Sequence, residues 1–452
     1  MYRPFSACLL LLLATPPATP QEKPETPPDA SELKQLIEEL RQNQVQQSHQ
    51  YEERIRSLET LLKKLQSDRQ QQREEDELDE LLRLAESSGP PPAARPSANP
   101  SLLNPQISVI PDFVGRVHDV SIKGDAAAIE AAFPELFTEQ NALDLREVEV
   151  DMRAPVSPDA DAVAILAVGE EEVAFEEVYI TFHSLPWGLA AKVGKFLIDF
   201  GSANRIHQHD LPQTDRPIVH RLLFGDEGTS SPGVSLSKLL FTTEAGGLLP
   251  ALSELTVEVI SSINEESPLL GTEAHNQIGV NTHWRNFWQL TPNADLEGGV
   301  SFLASPDGPA GRHEQTTALG GDLTWRWRDP EPGSYNSWLV QGEVIGSSVD
   351  VLESSSGVNA LGGYLTVQKQ FDPNWYGGLR LDAAQSPVVE DANIFGVAPY
   401  VTHYLNEFIR LRLQYSYMSG EVEDGSAVNQ GLSAQLTWVF GAHPPEPYWV
   451  NR

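Results

Sequence analysis

From residue 107 to residue 440, apolar and polar positions alternate with a period of two. In 431–440, Leu432, Ala434, Leu436, Trp438 and Phe440 point one way and Ser433, Gln435 and Thr437 the other. In 409–417 the set Ile409, Leu411, Leu413, Tyr415 and Tyr417 opposes Arg410, Arg412, Gln414 and Ser416. In 319–328, Leu319, Leu323, Trp325 and Trp327 oppose Asp322, Thr324, Arg326 and Arg328, and the same split recurs in 296–302, 278–284 and 148–152. Successive side chains of a strand point to opposite faces, so each segment reads as a strand with one apolar and one strongly polar face. Soluble sandwiches alternate too. Segments of about ten residues whose apolar faces end in aromatic residues are instead the signature of strands that cross a membrane. Trp325, Trp327, Trp338, Tyr404, Tyr417 and Trp438 are the expected girdle. The pattern predicts an all-β fold, a single closed antiparallel transmembrane β-barrel over 106–448, with about 16 strands and a range of roughly 14–18.

Ahead of the barrel the period changes. Residues 31–86 are mostly Gln, Glu, Arg and Leu, and Ile37, Leu40, Tyr51, Leu58, Leu61 and Leu65 fall on spacings of three and four. That seam predicts an α-helical coiled-coil stalk, with a lone solvated helix as the alternative because Gln44, Gln47 and Arg54 interrupt it. Residues 87–105, SSGPPPAARPSANPSLLNP, form a Pro-rich linker that no helix crosses. Residues 1–20 carry Arg3, an apolar run over 8–14 and then small residues and Pro, the layout of a secretory signal peptide. The one cysteine, Cys8, lies in that segment, so the mature chain needs no disulfide.

The chain of 452 residues has a formal charge of −33, which sets nucleic acid aside as a partner. No later stretch approaches the roughly 18 consecutive apolar residues of a membrane-spanning helix. Crossing, if it occurs, is by strands, with outer-membrane lipid, small solutes or ions and further copies of the chain as partners. The expected location is the bacterial outer membrane, the stalk in the periplasm. A self-associating stalk sets the oligomeric state, expected to be a homotrimer. Deleting 31–86 and measuring mass in detergent tests this: loss of the oligomer is the expected result, and an unchanged mass makes the stalk a spacer.

Several stretches carry a resemblance. LLNPQISVIPDFVGRVHD, EVEVDMRAPVSP, the long segment from AFEEVYITFHSLPWG through GSANRIHQHDLPQTDRPIVHRLLFGDEG, and the ending LTWVFGAHPPEPYW are similar to a family of bacterial outer-membrane barrels of porin-like size. Members are often labelled zinc-regulated TonB-dependent outer membrane receptors. The stalk resembles the one that precedes phosphate-selective-type porins. The resemblance implies a porin-like barrel in the outer membrane. It does not extend to a TonB-dependent mechanism, because such receptors use about 22 strands around a folded plug.

Candidate chemistry is sparse. The early strands supply inward acids, Glu147, Glu149, Asp151, Glu177, Glu254, Glu258, Asp295 and Glu297, and the later strands supply Arg326, Arg328, Arg380, Arg410 and Arg412. Facing rows of opposite charge across a narrow lumen would orient dipolar solutes and favour cations. The alternative is local ion pairing that fills the lumen, as between Arg326 and the neighbouring Asp295 and Glu297. His207 and His209, with His220 or Asp210, are candidate ligands for a divalent metal such as zinc, the one cofactor considered. Otherwise they are polar loop residues folded over the pore. No spacing singles out a nucleophile beside a base, so no enzyme is expected. The reading is a porin-like channel for passive passage of small solutes or ions. The alternatives are a structural protein that tethers the membrane through its coiled coil and a metal-related uptake barrel.

Overall fold

The computed structural model describes residues 105–451 except 140, 170–172, 243–248, 262–266, 268–277, 306–314, 332, 350–356 and 443–446. The expected signal segment, coiled coil and all but the last residue of the linker lie outside the described residues.

The alternating segments are strands: β1 (Gln106–Gly124), β2 (Ala142–Ser157), β3 (Ala160–Val168), β4 (Val173–Leu185), β5 (Leu189–Leu197), β6 (Ser230–Thr242), β7 (Leu252–Ser261) and β8 (Ile278–Thr291). They continue as β9 (Ala294–Ser305), β10 (Thr316–Arg328), β11 (Ser337–Val349), β12 (Val358–Gln370), β13 (Trp375–Gln385), β14 (Asn393–Asn406), β15 (Ile409–Val422) and β16 (Gly425–Trp438). Each pairs antiparallel with its neighbours in sequence. Phe113 of β1 lies opposite Leu145 of β2 on one side and Leu436 of β16 on the other, so the sheet closes. A two-residue strand, β17 (Phe440–Gly441), continues β16 and pairs with the start of β1. Closure leaves no unpaired edge, which a sheet in hydrocarbon requires. The described residues thus form a closed barrel of sixteen long strands, inside the expected range and well short of the roughly 22 of a TonB-dependent receptor.

The outer face is apolar. Leu323, Val344, Leu365, Leu413 and Leu432 are exposed there, while their strand neighbours Asp322, Thr324, Glu343, Thr366, Arg412 and Ser433 are buried inside. At the end where β1 begins, Trp327 lies opposite Trp338 across β10 and β11, and Trp375 and Trp438 lie at the same end of their strands. One inward–outward assignment is corrected. Tyr404 is buried against Tyr376 and Trp449 instead of joining the girdle. Its neighbour His403 faces the other way, its ring stacked on Trp375 with 4.2 Å between centroids. Both follow from the parity of β14, which turns Tyr400, Thr402 and Tyr404 inward together.

Connections at the β1-start end are short, such as 158–159, 292–293 and 407–408, and the long ones lie at the other end. Two of the long ones fold into the barrel. Residues 125–141 carry α1 (Ala126–Ala132), whose first amides are capped by Asp125. Residues 198–229 carry a 3-10 turn (Gln208–Asp210) and α2 (Ile218–Phe224). At that end the inward strand residues are apolar, Ile260, Leu303, Ala318, Ile345 and Val349, and pack with Phe133, Phe137, Phe200, Leu222 and Phe224 into one cluster. Burial at roughly 1.5–3 kcal/mol for each large side chain gives these connections a reason to enter the lumen.

Candidate functional site: the lumen and its inward segment

Segment 198–229 hydrogen-bonds to strands around the whole circumference, which places it inside. Its neck is closed by Asn204, whose side chain donates to the carbonyls of Ile198 and Thr229 (2.9 and 3.1 Å) and accepts from the Thr229 amide (2.9 Å). Arg216, fully buried, donates to the carbonyls of Ala203, Ile206 and Glu227 and so holds the segment in its folded course.

The arginine wall binds this segment. Arg410 donates to the carbonyl of His209, Arg412 to those of Leu211 (2.7 Å) and Gln213 (2.8 Å), and Arg380 to that of Asp215 (2.7 Å). The four acceptors are every second residue, so one row of carbonyls from 209 to 215 is turned to β13 and β15. The carbonyl of Thr214 faces the other way and accepts from Arg146 (2.8 Å). Asp215 also pairs with Arg380 (3.1 Å); burial opposes its charge, yet Arg380 and Arg221 hold its pKa down at about 2. Backbone with no strand partner needs such donors wherever water is excluded.

A second anchor is Glu343 on β11. One carboxylate oxygen accepts from the Ser202 amide (2.9 Å) and hydroxyl (2.6 Å), the Ala203 amide (2.7 Å) and the Tyr364 hydroxyl (3.0 Å); the other lies 2.9 Å from His220 Nε2. Gly201 is required beside it. Its φ is +60°, and a Cβ there would lie 2.2 Å from Glu343 Oε2. His220 therefore belongs to this anchor and does not join His207 and His209.

His207 and His209 face the acid wall instead. Their rings stack with centroids 6.1 Å apart, and the Nδ1 atoms lie 3.4 and 3.3 Å from Glu149 Oε2. His207 Nε2 is bonded to Glu177 (3.0 Å). The third acid is Glu176, 2.8 Å from His207 Nδ1. Asp210, the carboxylate expected from the neighbouring sequence, does not join this set: it approaches His209, at 3.5 Å. Burial opposes a charge on His209, but Glu149, Asp210 and Glu147 outweigh it and raise its pKa to about 9.

Two of these groups reach the lumen through β-bulges. Asp112 pairs with Glu147 and Phe113 with Leu145, so Arg146 is an extra residue on β2; likewise Ile165 pairs with Glu177 and Leu166 with Phe175, leaving Glu176 extra on β4. A bulge breaks the alternation and turns two consecutive side chains to one face. Glu147 then sits beside Arg146, and Arg146 pairs with the fully buried Asp112. Sequence reasoning passed over Arg146 and Glu176 because strict alternation assigns them outward.

The expected facing rows of charge are modified accordingly. Glu147, Glu149 and Asp151 stand on β2, only three strands from β15 around the closure and not across from it. Asp151 pairs with Arg153, Glu254 with Arg285, and Arg326 with Asp295 (2.6 Å) and Glu297 (3.5 Å), the local pairing named as the alternative. Glu258 accepts from the Asp199 amide and from Asn281, both at 2.9 Å. Arg328 is exposed at the end of β10.

The tail past the last strand also enters. Trp449 is buried among Tyr376, Tyr404 and the guanidinium groups of Arg410 and Arg412, 5.6 and 5.7 Å from its ring, and its indole donates to the Asp210 carbonyl (2.7 Å). Asn451 bonds to Gln370 and Tyr376, and the Tyr448 hydroxyl to Gln341. Beside the segment lie a cavity of about 510 Å³ toward the turn end, reaching Glu149, Asp151, Glu177, Glu254 and Glu258, one of about 250 Å³ on the loop side, reaching Arg116, Arg146 and Asp215, and one of about 290 Å³ lined by Ser202, Arg205, Glu297, Arg326 and Tyr448. The first touches His207, His209 and Asp210 and the second Gln208, so the 3-10 turn is the partition between them.

No family model matches the chain. A protein of Aquifex aeolicus (strain VF5), described as uncharacterized, is 27% identical over 399 residues, 76% of this chain and 80% of its own. Among solved structures the chain is similar to the outer membrane channel DcaP of Acinetobacter baumannii, with a TM-score of 0.49, 11% identity and coverage of 75% of this chain and 96% of that one. It is also similar to OprB of Pseudomonas putida, TM-score 0.48, 10% identity, covering 74% and 94%. For OmpT, an outer membrane protein of Vibrio cholerae, the TM-score is 0.46 at 8% identity, covering 74% and 100%.

Proposed function

We propose that the protein is an outer-membrane channel for passive passage of small solutes and ions, narrowed by segment 198–229 to a path along the β1 and β2 wall. The observation that carries this reading is the pair of cavities, about 510 and 250 Å³, that meet the 3-10 turn Gln208–Asp210 from opposite sides. A closed barrel with an apolar exterior and aromatic residues at the strand ends suits an outer membrane. Asp112, Arg146, Glu147 and His209 stand at the partition, where a permeating ion would meet them. The acids of the larger cavity raise the local concentration of cations over anions. The apolar cluster fills much of the loop end, so the unit conductance is small.

Single-channel recording in planar bilayers tests the reading. Expected are low-conductance steps and, under a KCl gradient, a reversal potential of cation-selective sign that moves toward zero when Asp151→Asn and Glu254→Gln are combined. A protein that inserts without conducting would favour the tethering role instead. Anion-selective steps would sink the assigned path.

A further inference from the structure

We propose that His207 Nδ1, Glu149 Oε2 and Glu176 Oε2 form a binding site for a divalent transition-metal ion of the Zn²⁺ type, with His209 orienting Glu149. The ligand atoms of these three residues lie within 4.8 Å of one another. The oxygens are the telling feature. Glu149 Oε2 and Glu176 Oε2 are both buried without a hydrogen-bond partner, as is His209 Nδ1, and Glu149 is only 2% exposed. Buried polar atoms are satisfied in nearly all folded proteins, and carboxylate oxygens most of all. His207 Nδ1 lies 2.8 Å from one oxygen and 3.4 Å from the other without hydrogen-bond alignment to either, and one N–H cannot serve both.

A cation between the three atoms satisfies all of them. Ligands held about 2.0–2.1 Å from a tetrahedral Zn²⁺ lie about 3.4 Å apart; the His207–Glu149 pair already has this separation at 3.4 Å, and the His207–Glu176 pair, at 2.8 Å, must open to admit the ion. The supporting residues fit too. A ligating imidazole almost always gives its other nitrogen to a carboxylate, and His207 Nε2 is bonded to Glu177, whose second oxygen accepts from the Leu197 amide (3.0 Å). Oxygens of Glu147 and Glu227 also lie within 4.8 Å of Glu176, so the surroundings are strongly acidic. Mixed imidazole and carboxylate ligands select a Zn²⁺-like ion over Mg²⁺ or Ca²⁺, which take oxygen alone. The ion would join β2, β4 and the segment, pinning its acid-wall end as Arg380, Arg410 and Arg412 pin the other.

The site borders the larger cavity of the proposed path, but its test needs no conductance. Full-length protein in detergent, stripped with EDTA and dialysed, is titrated calorimetrically with ZnCl₂ and separately with MgCl₂. Expected is one Zn²⁺ per chain and no response to Mg²⁺. Glu176→Gln and His207→Ala should each weaken Zn²⁺ binding by more than about 10-fold, and His209→Ala by about 10–100-fold as a positioning residue. Glu176 sits on a bulge at the wall, so heat-modifiable migration on gels should certify that each variant keeps its barrel. X-ray absorption of the Zn²⁺-loaded wild type should give one nitrogen and two carboxylate oxygens near 2.0–2.1 Å. Absence of stoichiometric Zn²⁺ binding, or binding that Glu176→Gln and His207→Ala leave unchanged, would overturn the site and leave protonated His207 as the partner of these acids.

Discussion

Glu343→Ala should raise single-channel conductance and make the open level noisy, because it detaches segment 198–229 from β11. The substitution removes the acceptor of two amides, the Ser202 and Tyr364 hydroxyls and the His220 ring in one step. Leaving buried donors without their acceptor costs about 1–3 kcal/mol for each group. That loss falls on docking of the segment and not on the barrel, since β11 keeps its full backbone ladders to β10 and β12. Glu343→Gln retains an acceptor but no charge and should give a smaller change. Recording the two variants beside the wild type, together with protease sensitivity of the segment, checks the claim. Unchanged conductance and unchanged protection in Glu343→Ala would mean that the apolar cluster of Phe200, Leu222 and Phe224 holds the segment by itself.

The second large effect is expected at the tail. Trp449→Ala should undock residues 447–451, because truncating a buried Trp costs about 3–5 kcal/mol and here also removes the bond to the Asp210 carbonyl. The turn-end cavity then widens and Arg410 and Arg412 lose the ring that covers them. Two readouts move in defined directions: conductance rises, and cation preference falls because guanidinium groups enter the path. Ending the chain at residue 446 should produce the same pair of changes and serves as the control for side-chain effects. A wider channel with undiminished cation preference would show that the arginines remain committed to the carbonyls at 209, 211 and 213 after the tail has left.

The barrel was legible in the sequence, and so was most of its inward face. A strand alternates with a period of two whatever surrounds it, and a barrel with hydrocarbon outside and polar groups inside leaves that period in the residues. Leu413 outside and Arg412 inside could therefore be assigned from spacing alone. His207 and His209 were also marked, by a rare residue type at close spacing. Parity failed where the ladder breaks or where tertiary packing recruits a residue. Arg146 and Glu176 face inward because bulges insert them, and a bulge of one residue leaves no distinct composition behind. Tyr404 reads as an interfacial ring in the sequence because an aromatic residue at a strand end looks alike on either face.

The sequence by itself determined the period, the apolar exterior and which strands carry acids and which arginines, since these follow from local backbone geometry. Only the tertiary structure decided that the arginines serve the carbonyls of a segment folded through the lumen, that Glu343 anchors it, that His220 parts from His207 and His209, and that the tail seals one side. Those contacts join residues about 75 to 240 positions apart, such as Gln370 with Asn451 and Asp210 with Trp449. No local pattern encodes them, because what selects them is the demand for partners that closure imposes on every polar atom shut inside.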